Sequence, residues 1–157
     1  MNLFSLLDKD TVLPQFETNS KKDLINSLVD TLRNKFSSDD ELEEVRRAVF
    51  EREKIMSTGV GKGIAIPHAK TEVVENNLAA FALLKEPQNF DSIDDEPVRL
   101  VFLLISPKTN NSQHIKILSR ISRLMNSASF REQITDCENS ADILKAFQDE
   151  EEKYFVK

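Results

Sequence analysis

The sequence predicts an α/β domain: a central sheet covered by helices on both faces. Three observations lead there. Leu78–Leu84 and Arg99–Ile105 are continuous apolar runs of strand length, the pattern of strands buried on both sides. Segments with apolar residues at helical spacing lie both before and after them, so helices are available for each face of the sheet. The chain has 157 residues, the length of one domain on the usual range of roughly 100–200 residues. Residues 1–157 are therefore read as a single domain with its own core.

Thr11–Phe16 carries β-branched and aromatic residues but includes Pro14, so it is expected as an edge strand. Asn19-Ser20 offers a cap for a helix to about Phe36, with Leu24, Ile25, Leu28, Leu32 and Phe36 on its apolar face. Ser38 to Glu41 has the Ser-x-x-Glu form of a capping box and starts a helix to about Glu51. Ile64-Ala65-Ile66 is a short strand stopped by Pro67, with His68 at its end. Pro87, Asp91, Asp94, Asp95 and Pro97 mark the loop between the two long strands. A helix follows from about Gln113 to Asn126, with Ile115, Leu118, Ile121 and Met125 as its stripe. A short helix around Phe130–Ile134 and another from a Ser140 cap to about Gln148 complete the set. The charged end, about the last eight residues, is expected to fray.

Composition removes several classes of function. The 21 Lys and Arg against 27 Asp and Glu give a net charge of -6, which argues against a nucleic-acid-binding domain with its basic stripe. No apolar run approaches the roughly 20 residues of a spanning helix, and the first residues lack the basic start and apolar core of a secretory signal. No membrane insertion is expected. One cysteine, Cys137, cannot form an internal disulfide, which suits a reducing, cytoplasmic compartment. With two histidines and no Cys/His cluster, a metal site would need carboxylates. The acidic residues Asp91, Asp94, Asp95 and Glu96 lack the central glycine of a calcium loop, so they read as a solvated loop. No metal or cofactor is expected.

The only three glycines, Gly59, Gly61 and Gly63, fall within five residues. Lys62 is followed by Gly63 rather than Ser or Thr, so this is not a Walker loop, and the Ile64-Ala65-Ile66 that follows is not the helix of a dinucleotide fingerprint. Either the cluster is a flexible turn joining helix to strand, or it permits close approach to a neighbour. His68 is either a surface histidine or a nucleophile or proton shuttle, since a pKa of about 6.5 leaves a neutral ring nitrogen at neutral pH. His114 lies in a first helical turn, as a plain polar residue or as a neutral imidazole helping exposed N–H groups to hold a phosphate. Ser57 and Thr58 offer hydroxyl donors. Arg52 offers positive charge, unless it is simply a solvated helix-end cation.

Residues Arg52 to Ala69, REKIMSTGVGKGIAIPHA, resemble the active-site signature of the type-2 enzyme IIA domains of the bacterial phosphoenolpyruvate:sugar phosphotransferase system, in the fructose, mannitol and nitrogen-regulatory branch. Glu53, Val60, Gly61, Ile64, Ala65, Ile66, Pro67, His68 and Ala69 meet every constrained position. Phe90–Val98, the following Leu100–Leu104, His114–Leu118, Phe130-Arg131 and the Ser140–Phe147 helix extend the similarity over essentially the whole chain.

The resemblance implies a mixed sheet between helix layers. It implies that His68 is the phosphoryl acceptor, His114 the second active-site histidine and Arg52 the nearby cation. The donor would be a histidine-phosphorylated carrier, HPr or its nitrogen-branch relative. The receiver would be an enzyme IIB domain or, where phosphorylation acts as a switch, regulatory targets. The three glycines would let their loop come close to the site and to a docking partner. No IIB or IIC segment is present in the sequence, which favours the nitrogen-regulatory type. The alternatives are the IIA of a fructose- or mannitol-type permease, and a binding module that works without phosphorylation.

Overall fold

Alternation along the two long apolar runs decides the architecture. In the computed structural model, which describes residues 2–155, they form strands β5 (Leu78–Gln88) and β6 (Val98–Pro107), paired antiparallel with Phe81 opposite Phe102. Ala79, Phe81 and Leu83 join Leu100, Phe102 and Leu104 on one face. Ala80, Ala82 and Leu84 join Val101, Leu103 and Ile105 on the other. Side chains of period two thus feed two separate cores.

Four shorter strands complete a mixed sheet. Strand β1 (Val12–Phe16) runs parallel to β5 and forms one edge, where the missing N–H of Pro14 is tolerated. Strands β3 (Ile64–Ala65) and β4 (His68–Thr71) both run parallel to β6, and β2 (Gly59–Gly61) closes the other edge, antiparallel to β3. Helices α1 (Lys21–Asp30) and α2 (Asp39–Ile55) cover the face lined by Ala65, Ala69, Ala80 and Ala82. Helices α3 (Asn111–Met125), α4 (Ala128–Thr135) and α5 (Ser140–Phe155) cover the opposite face. There Phe147 meets Phe81, Phe102 and Phe130 edge-on, with centroids 5.1 to 5.9 Å apart. The expected α/β class, with helices on both faces, is the one found.

Several expected boundaries move. Helix α1 stops at Asp30 rather than near Phe36. The Thr31 hydroxyl bonds back to the Leu28 carbonyl, and the chain continues as a 3-10 turn at Arg33–Lys35. Helix α2 continues past Glu51 to Ile55, where Arg52 Nη1 donates to the Met56 carbonyl. Glu41 of the expected capping box reaches Ser37 rather than Ser38. The cap of α5 is Asn139, whose side chain accepts from Asp142 N–H, not Ser140.

The expected frayed tail is helical through Phe155, and Glu150 and Glu151 are buried. Glu151 accepts from the Leu3 and Phe4 N–H groups at 2.6 and 2.7 Å and pairs with Arg120 at 3.0 Å. A carboxylate at the start of the 3-10 turn Phe4–Leu6 ties the two ends of the described chain together. The last two residues of the expected tail lie outside the described residues.

Candidate functional site

His68 begins strand β4 rather than ending a strand, and Pro67 explains how. The register of β3 and β4 on β6 is continuous, Ile64 opposite Leu100 and His68 opposite Leu104. Pro67 cannot donate to that ladder, so pairing lapses for two residues and resumes at His68. In the gap, Ile66 N–H donates to the Thr58 carbonyl, and the Ile66 carbonyl accepts from His68 Nδ1 at 2.8 Å. A carbonyl only accepts, so the proton sits on Nδ1 and Nε2 carries the lone pair. Partial burial, with help from Arg52, holds the His68 pKa below its usual value, so the ring is neutral near pH 7.

His114 is 4% exposed, and its ring centroid lies 5.5 Å from that of His68, tilted by 51°. Its Nδ1 is 2.7 Å from the hydroxyl of Ser106, a fully buried residue of β6. Burial, and then the proximity of His68 and Lys70, lowers its pKa to about 4. Asn110 caps α3 just before it.

His68 and Arg52 border two adjoining hollows. One, of about 810 Å³, is also lined by His114, Lys70 and Lys108. The other, of about 510 Å³, is walled by Met56, Val60, Ile93 and Leu118. Among the described residues the exposed large hydrophobic side chains are Ile55, Met56, Val60, Ile93 and Ile115. Four of them line one hollow or the other, and Ile115 follows His114 in the chain. Apolar exposure is therefore gathered around His68 rather than scattered.

The glycine cluster is a β-hairpin, β2 turning into β3, rather than a loose connection. A Cβ on Gly59 would lie 2.3 Å from Ser92 Oγ and 2.9 Å from Ser92 Cα. Gly61 sits at φ +99°, leading into a turn where Lys62 N–H donates to Asp94. The neighbour that the glycines approach is thus the acidic loop at Ser92 to Asp94. Gly61 and Gly63 lie outside both hollows beside His68.

Ser57 and Thr58, expected as donors to a phosphate, have their hydroxyl protons committed elsewhere. Ser57 Oγ donates to the Phe90 carbonyl at 2.7 Å. Thr58 donates both its N–H and its hydroxyl to the buried Glu53 carboxylate, at 2.8 and 2.6 Å. Glu53 also pairs with Lys21 at 2.9 Å. It ties α1, the end of α2 and the segment leading to the hairpin into one unit.

The family model for the phosphoenolpyruvate-dependent sugar phosphotransferase system, EIIA 2, matches residues 5–150. The chain belongs to that family. It is 38% identical over 129 residues to a nitrogen regulatory protein of Bradyrhizobium diazoefficiens, covering 80% of each chain. It is 34% identical over 144 residues to the fructose-specific EIIABC component of Bacillus subtilis, covering 92% of this chain and 22% of that larger protein. The crystal structure of the nitrogen regulatory protein IIA-Ntr from Neisseria meningitidis superposes with a TM-score of 0.84 at 29% identity, covering 92% of this chain and 98% of that one. An EIIA chain is a component of a phosphotransferase system.

In this EIIA chain the fold brings together His68, His114, Arg52 and Gly59, all of which the sequence marks as site candidates. Ser106, Lys70 and Lys21 carry no such mark in the sequence. The signal for Ser106 is absent from the sequence, because a serine inside an apolar strand has no partner until the strand and α3 are docked. Glu53 was legible as a motif position, but not as the buried carboxylate that organises the loop. Among the described residues no group of three or more His, Cys, Asp or Glu is placed to hold a metal ion, and no helix is long and apolar enough to cross a membrane.

Proposed function

We propose that this chain is a histidine phosphocarrier of the nitrogen-regulatory type, accepting a phosphoryl group on His68 Nε2 from a phosphorylated HPr-type protein in the cytoplasm. The observation that carries the reading is the His68–Ile66 hydrogen bond, which leaves Nε2 as an unprotonated nucleophile beside Arg52 and His114. In the transfer, the bond from His68 Nε2 to phosphorus forms as the donor's phosphorus–nitrogen bond breaks. The Nδ1 proton stays in place, and the Ile66 carbonyl stabilises the positive charge that the ring gains. Transfer between two imidazoles needs alignment and stabilisation of the equatorial oxygens, not an added base. Arg52 and His114 supply that stabilisation. The apolar rim of Ile55, Met56, Val60 and Ile93 suits a protein partner that excludes water from the exchange.

The nitrogen-regulatory type is favoured by coverage: the relatives of that name are matched over most of their own length. The identity with the fructose-specific component supports a second reading, in which a IIB domain is the receiver.

The test is incubation with phosphoenolpyruvate, enzyme I and the phosphocarrier protein. Acid-labile, base-stable label is expected on the wild type and not on His68→Ala. Absence of label on a folded wild type with several carriers would overturn the reading in favour of a module that works by binding alone. Rapid loss of the label to a fructose- or mannitol-type IIB domain would assign the permease role.

A further inference from the structure

His68 and His114 are both hydrogen-bonded through Nδ1, but to partners of opposite character. The partner of His68 is a carbonyl, which fixes the proton on Nδ1. The partner of His114 is the Ser106 hydroxyl, which can donate or accept. A neutral imidazole has one ring proton, so the direction of this hydrogen bond decides which nitrogen of His114 carries it.

The accounting of buried groups settles the direction. Ser106 is 0% exposed, and among the described residues its hydroxyl has no hydrogen-bond partner other than His114. If Nδ1 carried the proton and donated to Ser106, the hydroxyl hydrogen would be buried with nothing to receive it. If the hydroxyl donates to Nδ1, only spare oxygen lone pairs are left, which are far less costly to bury than an orphaned donor. The proton of His114 is then on Nε2. That atom has no protein partner among the described residues, and the ring lines the same hollow as His68. Burial keeps this histidine neutral at physiological pH, so the tautomer, not a full charge, is what it can offer.

We infer that Ser106 is a positioning residue that holds His114 as the Nε2–H tautomer, so that a neutral imidazole presents a hydrogen-bond donor to a phosphoryl oxygen at His68. The two rings are thereby set in complementary states, one with a lone pair at Nε2 and the other with a proton there. The pairing follows from topology. Ser106 lies two residues beyond Leu104, the β6 partner of His68, and one tight connection before α3. The role in transfer rests on the phosphocarrier reading; the tautomer does not.

The experiment is long-range ¹H–¹⁵N spectroscopy of the full chain with labelled histidines, on wild type and Ser106→Ala, alongside the rate at which phosphorylated carrier labels each. Wild type is expected to show His68 protonated at Nδ1 and His114 at Nε2. In Ser106→Ala, His114 Nδ1 loses its donor, so its ¹⁵N resonance is expected to move toward that of a lone pair without a hydrogen bond, while the His68 pattern, reporting an intact fold, stays the same. Labelling should slow by about ten-fold or more, in line with loss of an oriented donor. His114 protonated at Nδ1 in the wild type, or an Nδ1 resonance unmoved by Ser106→Ala, overturns the assignment. A moved Nδ1 resonance with an unchanged labelling rate overturns the role in transfer. A wild type that takes no label but shows the Nε2–H tautomer and the serine-dependent Nδ1 resonance defeats the phosphocarrier reading and leaves the positioning by Ser106 standing.

Discussion

Arg52 illustrates what single side chains do at this site. Its guanidinium is tied to the Met56 carbonyl at the end of α2 and faces the hollows that His68 borders. The same charge that would meet a phosphoryl oxygen disfavours the protonated His68 ring. Arg52→Ala should therefore raise the His68 pKa, measurable by NMR titration, and slow its phosphorylation by about 10–100-fold through the lost charge-assisted contact. A slower reaction with an unmoved pKa would mean that Arg52 acts on the partner rather than at the ring. In the wild type, the lowered His68 pKa means that the labelling rate should fall to half its neutral value only at a pH below the ordinary histidine value of about 6.5. The decline reports protonation of the nucleophile.

At the scale of elements, the site depends on the β2–β3 hairpin lying hard against the acidic loop. Ile93 N–H donates to the Gly59 carbonyl, and Lys62 N–H to Asp94. Gly59→Ala places a methyl group against Ser92 side chain and backbone together, so neither neighbour can simply rotate away. A loss of about 1–3 kcal/mol is expected, the usual range for overpacking. The check is the urea midpoint, with the slope unchanged. Adding Ser92→Ala should recover only part of the loss, because the new methyl group still presses on the Ser92 backbone. Full recovery would assign the strain to the hydroxyl alone.

The molecule as a whole has a built-in acid sensitivity. In the folded chain His114 titrates near pH 4 instead of 6.5. Above about pH 6.5 it is neutral in both folded and unfolded chains and contributes no pH dependence. Between 6.5 and 4 the unfolded chain takes up a proton that the folded chain refuses, so stability falls with falling pH. The total from this group is about 2–3 kcal/mol, reached below pH 4. His68, shifted in the same direction, adds to the loss over the upper part of that window. Urea unfolding from pH 7.5 to 4.5 should show this decline, and His114→Asn should flatten it. An equally steep decline in His114→Asn would locate the sensitivity elsewhere.

The amino-acid sequence alone determined the two-faced sheet, because the apolar runs of β5 and β6 are continuous and a strand points successive side chains to opposite faces, so both faces must be covered. It also determined the helix pairs and the site motif around His68, since Pro67 and the three glycines act through local backbone chemistry. Tertiary structure decided what local chemistry cannot reach. Gly59 is explained by Ser92, some thirty residues away. Thr58 is committed to a carboxylate on another element. The charged C-terminal segment looked solvated until Glu151 found the backbone N–H groups of Leu3 and Phe4. The state of His114 depends on Ser106, a polar residue hidden in an apolar strand. In each case the deciding partner lies on another element of the fold, and a hydrogen bond or steric contact has no sequence signature until packing creates it.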